Sequence, residues 1–489
     1  AGPLFASILS KNKDWRAAVA EVAAEALYRL RGSSRPRWDF AIAIVRSPDD
    51  KAAPLAEIAD ALDTALGTEG RLIGTTAEGL DGSLMDGTRG HAWKEGKQGI
   101  MVIAVQLPEG EEQPAVPFAL TKEDFPKISQ VVMSMMRRVR VRGSSAPPTP
   151  RAWMSYLGWD EERPEPRGII LFVDPIASKY TVKTVLEGLD MAFPNTPKFG
   201  GVCADLPPGM VRLAKCMGGS FQQVEAGICG LILPSCLSLH TVTTPGSVRI
   251  GPELRLTRAN GQVVEELNGK PAAEALAEVL KETGPLDKFL IERDGFFLGL
   301  EAASQPIDSN RNQVYDDCWG SARRAPSYAQ LASQTIGTDW LVRTIEPMPN
   351  GAVVLRRDDL KQVPPRVGPA WLRCQLHVRN THRAREEIKL MMQRYLGARM
   401  LLNNASQPIG ALIGICASWA AAAEEEGAEV GYAELQEIFG EALPIARVWT
   451  NGEIAGPGVA LGDSPRRTNR QGHTASCCIL SYEPRLDGY

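Results

Sequence analysis

No stretch of this 489-residue chain reaches the roughly 18 consecutive apolar residues that a bilayer-spanning helix needs. The two longest candidates, 226–239 and 410–423, are shorter and end in polar residues. A transmembrane segment is therefore not expected, and any peripheral membrane association would run through partners. Paired cysteines are missing too. The nine cysteines are scattered, without a Cys-x-x-Cys pair, mostly in apolar surroundings. They read as free thiols in a reducing compartment rather than as a disulfide framework. The five histidines (His91, His240, His377, His382 and His473) show no His-x-x-x-His or Cys/His spacing, so neither a metal nor a cofactor is expected. A net charge of −4 supplies no global basic field and argues against nucleic acid as a partner. The numbering opens on Ala1-Gly2-Pro3 rather than on Met. With reduced thiols, that suggests the plastid stroma, with the cytoplasm as the alternative.

What is present is ordinary globular usage, 44% hydrophobic and 23% charged. The length suggests about three domain-sized units. Residues 6–30 carry apolar side chains at helical spacing, from Trp15 to Leu30, and predict a helical lead-in within 1–36. The strand-like run Phe40–Val45 follows, then an amphipathic helix near 53–66, a strand ending at Gly74-Thr75-Thr76, and a buried strand from Gly99. The series recurs as 168–173, a helix at 181–193, Lys198-Phe199-Gly200-Gly201 and 227–233, at offsets of 127 and 128 residues. The expected fold class is thus α/β, a duplicated βαβ-type part over 37–107 and 168–247 with a covered sheet. A mixed α+β part at 248–489 would follow it.

Between the copies, 108–167 reads as an irregular insert. The run Met135–Arg142 alternates Arg with Val and predicts an edge strand with one cationic face (Arg137, Arg138, Arg140 and Arg142). Such a face is either solvated or a docking surface for an acidic partner. Trp153 and Trp159 are candidate core residues or partner anchors. Beyond Val248, a hairpin around Asn260-Gly261, a helix at 271–281 and a half-buried strand at 371–379 are expected. Next come a helix through Leu396 stopped by Gly397, a strand from Gly410, a helix at 432–439 and a final strand at 476–480.

Four segments carry a resemblance. Phe40–Val45 with Leu72–Gly79, and Phe199–Ala204, are similar to parts of the FIST amino-terminal domain. Gly251–Thr257 with Val263–Ala272 resembles the entry of the FIST carboxy-terminal domain. Asn451–Pro457 with Gly472-His473-Thr474-Ala475 resembles its ending. The match runs from about Arg37 to Leu480 and implies a stand-alone member without an F-box, whose family role is sensing of small, amino-acid-like ligands. The sequence departs from the family where Cys416 is followed by Ala417-Ser418-Trp419 rather than by an Arg-Gly pair, and where Ala455 is extra.

Three readings follow. A protein–protein adaptor or linker subunit, for instance in a plastid photosynthetic complex, stands first. The second is ligand sensing, with Gly74, Thr75, Thr76, Gly200, Gly201 and Cys203 lining one crevice beyond the strand ends. Cys416, Asn451, Gly452, Glu453, His473 and Thr474 would line another. The glycines read equally as close-packing positions. The third is a cysteine enzyme using Cys416 or Cys203 with His473, for which no signature of base and orienting group is present. No catalytic residue is expected.

Overall fold

The computed structural model describes residues 2–47, 53–84, 89–92, 98–111, 113–140, 151–160, 162–207, 210, 212–260, 262–301, 340–355, 373–401, 406–420, 431–456, 458–460, 468–470 and 474–483. The architecture is mixed α/β, and the described residues form sheets of thirteen, six and seven strands.

Three groups of strands share one order. In the first, Leu72–Thr76, Phe40–Arg46, Gly99–Gln106 and Leu4–Ser10 lie side by side. In the second the order is Lys198–Val202, Ile169–Val173, Ile228–Ile232 and Val116–Leu120. In the third it is Ile445–Thr450, Gln407–Cys416, Thr474–Tyr482 and Leu237–Pro245. Each group pairs its first two strands in parallel and the others antiparallel. A parallel pair needs a crossover connection. In the first group this carries the helix Leu55–Leu66, in the second Pro175–Tyr180 and Val182–Ala192, and in the third Tyr432–Phe439.

The side chains explain the layering. In Phe40–Arg46 the bulky Phe40, Ile42 and Ile44 face a core shared by all three groups, while Ala41, Ala43 and Val45 lie under the helices. Leu55, Ile58, Ala59, Leu62 and Leu66 form the buried stripe of the covering helix. Gly67, at φ 69°, ends it in the left-handed conformation that glycine tolerates. The shared core also takes Ile170, Phe172 and Phe199 from the second group, and Leu412, Val448 and Leu480 from the third.

The seven-stranded sheet is inserted into the third group, between Leu237–Pro245 and the helix Thr381–Leu401. Its own core, with Leu256, Leu276, Leu298 and Leu376, is separate from the shared one. The hairpin Ser247–Asn260 with Val263–Leu267 belongs to it.

Several expectations are corrected. Leu4–Ser10 is a strand, not the start of a lead-in helix. Its side chains follow period two, Phe5 and Leu9 toward the shared core and Ala6 and Ile8 toward the helices. The helix proper is Trp15–Arg29, capped by the Asp14 carboxylate, which accepts from the N–H groups of Arg16 and Ala17. Among the described residues of 108–167 there is no basic strand: Val116–Leu120 is a strand of the second group, and Phe125–Arg140, which holds most of the Arg/Val run, is a helix. Phe125, Ile128 and Val132 bury at helical spacing, which overrides the short Arg/Val alternation. The helix Thr381–Leu401 runs through Gly397, because a glycine costs about 1 kcal/mol there and burial of Met392, Tyr395 and Ala398 outweighs it. The boundary at 247/248 does not separate sheets either, since strands from 407–482 lie in the same sheet as the first group.

Candidate functional site

The three groups interlock by lending strands in a circle. After its second parallel strand, each group sends the next stretch of chain across to a neighbour. Gly79–Ser83 of the first pairs with Ile445–Thr450 of the third. Glu453–Ala455 of the third pairs with Lys198–Val202 of the second. Leu213–Met217 of the second pairs with Leu72–Thr76 of the first. The three crossings meet, and there the structure gathers most of the nominated site residues.

Asn451 stands at the centre. Its amide Nδ2 donates to Glu78 Oε1 at 2.8 Å and to the carbonyl of Cys203 at 3.1 Å. Glu78 Oε1 also accepts from the N–H of Asp205 at 2.8 Å. One carboxylate and one amide thereby clasp all three crossings. Backbone bonds add to the clasp: Val202 N–H donates to Gly452, Asn451 N–H to Val202, and Glu78 N–H to Trp449. Gly452 holds φ 129°, where a side chain is strained, and so presents its carbonyl to Val202.

The carboxylate of Glu453 is fully buried and accepts from Thr450 Oγ1 at 3.1 Å and from Thr474 Oγ1. Gly201 lies opposite it in register, and Gly200 opposite Ile454. A Cβ on Gly200 would overlap the Leu171 carbonyl oxygen, and one on Gly201 would meet Thr450 Cβ at 2.9 Å. These glycines serve strand-to-strand packing rather than lining a crevice. Thr75 Oγ1 lies 3.3 Å from Cys203 Sγ across the junction of the first and second groups. Burial pushes the Cys203 thiol up to about 12, against the opposing hydrogen bond from Thr75. The first and third groups are further joined by a buried ion pair, Arg447 Nη2 to Asp81 Oδ2 at 2.6 Å.

The two crevices expected from sequence are thus one junction. Cys416 stands apart from it: its side chain packs in the outer layer of the third group, with Sγ 3.2 Å from Ser418 Oγ. Gly74 packs under Leu55 and Ala214. His473 and Arg142 lie outside the described residues, and the side chains of Arg137, Arg138 and Arg140 are not described. Trp153 and Trp159 are core rather than partner anchors. Gly188, lacking a side chain, admits the Trp153 indole onto the helix Val182–Ala192.

Sequence reasoning missed Asp174 and Arg212. Asp174 caps Pro175–Tyr180 by accepting from the N–H of Ile176 at 2.8 Å. Arg212 approaches it through Nη1 at 3.5 Å and donates to the carbonyls of Leu206, Pro207 and Met210. Val173-Asp174-Pro175 after a strand signals the cap. Nothing local marks Arg212. Among the described residues no group of His, Cys, Asp and Glu is placed to hold a metal, and no helix is long and apolar enough to cross a membrane.

The fold and its junction define a mixed α/β protein of interlocked, helix-covered sheets. The FIST N domain family matches residues 12–270, 259 of the 489. The chain belongs to the FIST family, whose domain is associated with signal transduction and ligand sensing. Comparison with curated proteins gives no match.

Proposed function

We propose that this FIST-family chain is a non-catalytic adaptor that lends a rigid shape to a larger assembly. What supports the reading is the use made of the nominated polar residues. Asn451 bonds to the other two groups, Glu453 pairs in register with Gly201 of the second, Gly200 packs beside it, and Thr474 fastens the Glu453 carboxylate. A raised thiol pKa at Cys203 disfavours the thiolate that cysteine catalysis requires. We read the three groups as copies of one βαβ-based module, and 248–489 as the FIST carboxy-terminal part. The compartment in this proposal is the plastid stroma, with the assembly a photosynthetic one, and the cytoplasm is the alternative.

A docking surface is offered by the helix Pro285–Asp294, where Leu286 and Phe289, three residues apart, are 62% and 58% exposed. Apolar side chains left open on one helix face mark an interaction surface. Replacing both with Asp should remove partners that co-purify with the native chain, as counted by mass spectrometry, while leaving the melting temperature unchanged. Undiminished co-purification would exclude this helix.

Small-ligand sensing is the second reading. It is favoured by buried polar atoms at the junction without hydrogen-bond partners, Thr76 Oγ1 and Arg212 Nε among them. A screen of free amino acids by thermal shift should then raise the melting temperature of the wild-type chain. A flat screen would count against it.

A further inference from the structure

The helix Trp15–Arg29 buries Val19, Val22 and Ala26 against the first group and turns another face to solvent. Its exposed positions are Arg16, Ala20, Ala24, Leu27 and Tyr28, which follow at three- and four-residue spacing and so share one side. Leu27 and Tyr28 are 41% and 56% exposed. The neighbouring helix Leu55–Leu66 shows the ordinary arrangement, with Glu57, Asp60 and Thr64 at its exposed positions. Both helices pack on the same buried cluster, so nothing in that layer requires an apolar outer face on Trp15–Arg29.

Cations stand at both ends of this face. The Arg16 guanidinium lies 4.5 Å from the Trp15 ring, and that of Arg31 lies 4.4 Å from the Tyr28 ring. Neither has an ion-pair partner among the described residues. The acids of the helix are engaged elsewhere: Glu21 accepts from Ser10 and Asn12, and Glu25 from Arg29 at 3.0 Å. The first turn holds no acidic residue, and Arg16 occupies it instead. A helix amino end favours anions, so Arg16 weakens the helix that carries it, and its charge serves something outside the helix.

We infer that the outer face of Trp15–Arg29 docks an amphipathic helix of a partner protein, apolar along the contact and carrying a carboxylate toward each end. Ala20 and Ala24 let the partner helix approach closely, Leu27 and Tyr28 supply the apolar area, and the two guanidinium groups pair with its carboxylates. About 18 Å of helix separates position 16 from position 28, which sets the spacing of those acids. A second copy of this chain does not fit. Apposed with its own equivalent, the face brings Arg16 against Arg16 or against Arg31, and like charges repel in both cases. The inference rests on the adaptor reading and gives it a second surface, with the chemistry of the partner that fits.

The test is zero-length cross-linking of the full chain in its native assembly. Arg16→Lys with Arg31→Lys keeps both charges and adds two amines, which a water-soluble carbodiimide joins to neighbouring carboxylates. Mass spectrometry of the digest should find positions 16 and 31 joined to Asp or Glu of one partner segment, about twelve residues apart. Arg16→Glu with Arg31→Glu should lower recovery of that partner about tenfold. It should melt no lower than the wild type, because a carboxylate at position 16 suits the amino end of the helix. Full recovery of the partner by this charge-reversed variant overturns the docking face. So do links from 16 and 31 that reach only carboxylates of this chain while other partners are present, a result that leaves the adaptor reading standing. A chain that purifies without any stoichiometric partner overturns both. If neither position is joined to a partner, and phosphatidylserine vesicles float the wild type but not the charge-reversed variant, the face belongs to a membrane surface and the protein partner is overturned.

Discussion

Residues 1–270 expressed alone are expected to give no cooperatively folded protein, although they contain the whole of the FIST N match. Their shared core would lose Leu412, Ala446, Val448, Cys478 and Leu480. The strands Gly79–Ser83, Lys198–Val202 and Leu237–Pro245 would lose partners donated from 407–482. Asn451 would no longer close the clasp on Glu78 and Cys203. Unpaired edges and an open core leave too little burial to offset the backbone entropy of ordering that many residues. Circular dichroism during heating would show no sharp transition for this fragment. Co-expression with 271–489 should restore one. A cooperative melt from 1–270 by itself would show that the interlock is dispensable.

The second large effect is expected at Gly200. In Gly200→Ala the new methyl would overlap the carbonyl oxygen of Leu171 on the neighbouring strand. The methyl is fixed to its own strand and meets the backbone of the neighbouring one, so no rotamer change relieves it. A loss above about 4 kcal/mol, or no soluble protein, is the expected outcome. Gly74→Ala is the control. Its methyl would meet Leu55 Cδ1 and Ala214 Cβ at 3.3 Å, atoms of side chains that can give way. A loss of about 1 kcal/mol or a little more is expected there. Denaturant unfolding of the two variants compares them, and equal losses would mean that the strands at Gly200 separate more easily than their packing implies.

Much of this fold is local and so was legible. Phe40–Arg46 and Ile169–Val173 are short apolar runs bounded by polar residues, and Tyr432–Phe439 declares its helix by spacing and by Glu434 at its start. The strand order of the third group was not legible, because the inserted sheet separates Leu237–Pro245 from Gln407–Cys416. Leu4–Ser10 is misread when the helical spacing of Trp15–Arg29 is carried back across Lys11-Asn12-Lys13-Asp14, the polar break at which the strand ends. At the junction, residues that the sequence assigns to two separate crevices lie together. Glu453 and Gly201 meet through strand pairing across some 250 residues, which no local pattern encodes. Arg212 has no local mark at all, because its meaning comes from Asp174 and Thr76, which only the fold brings to it.

The inserted sheet enters at Ser247 and leaves at Arg379, and these two residues are paired antiparallel neighbours. Directly opposed residues of this kind stand about 5 Å apart. To the remainder of the chain, everything from 248 to 378 is therefore equivalent to a hairpin turn. A lineage could enlarge, exchange or delete that whole body while the ring of sheets kept its connectivity. New recognition properties could be acquired at this one socket without any change to the parts that hold the ring closed.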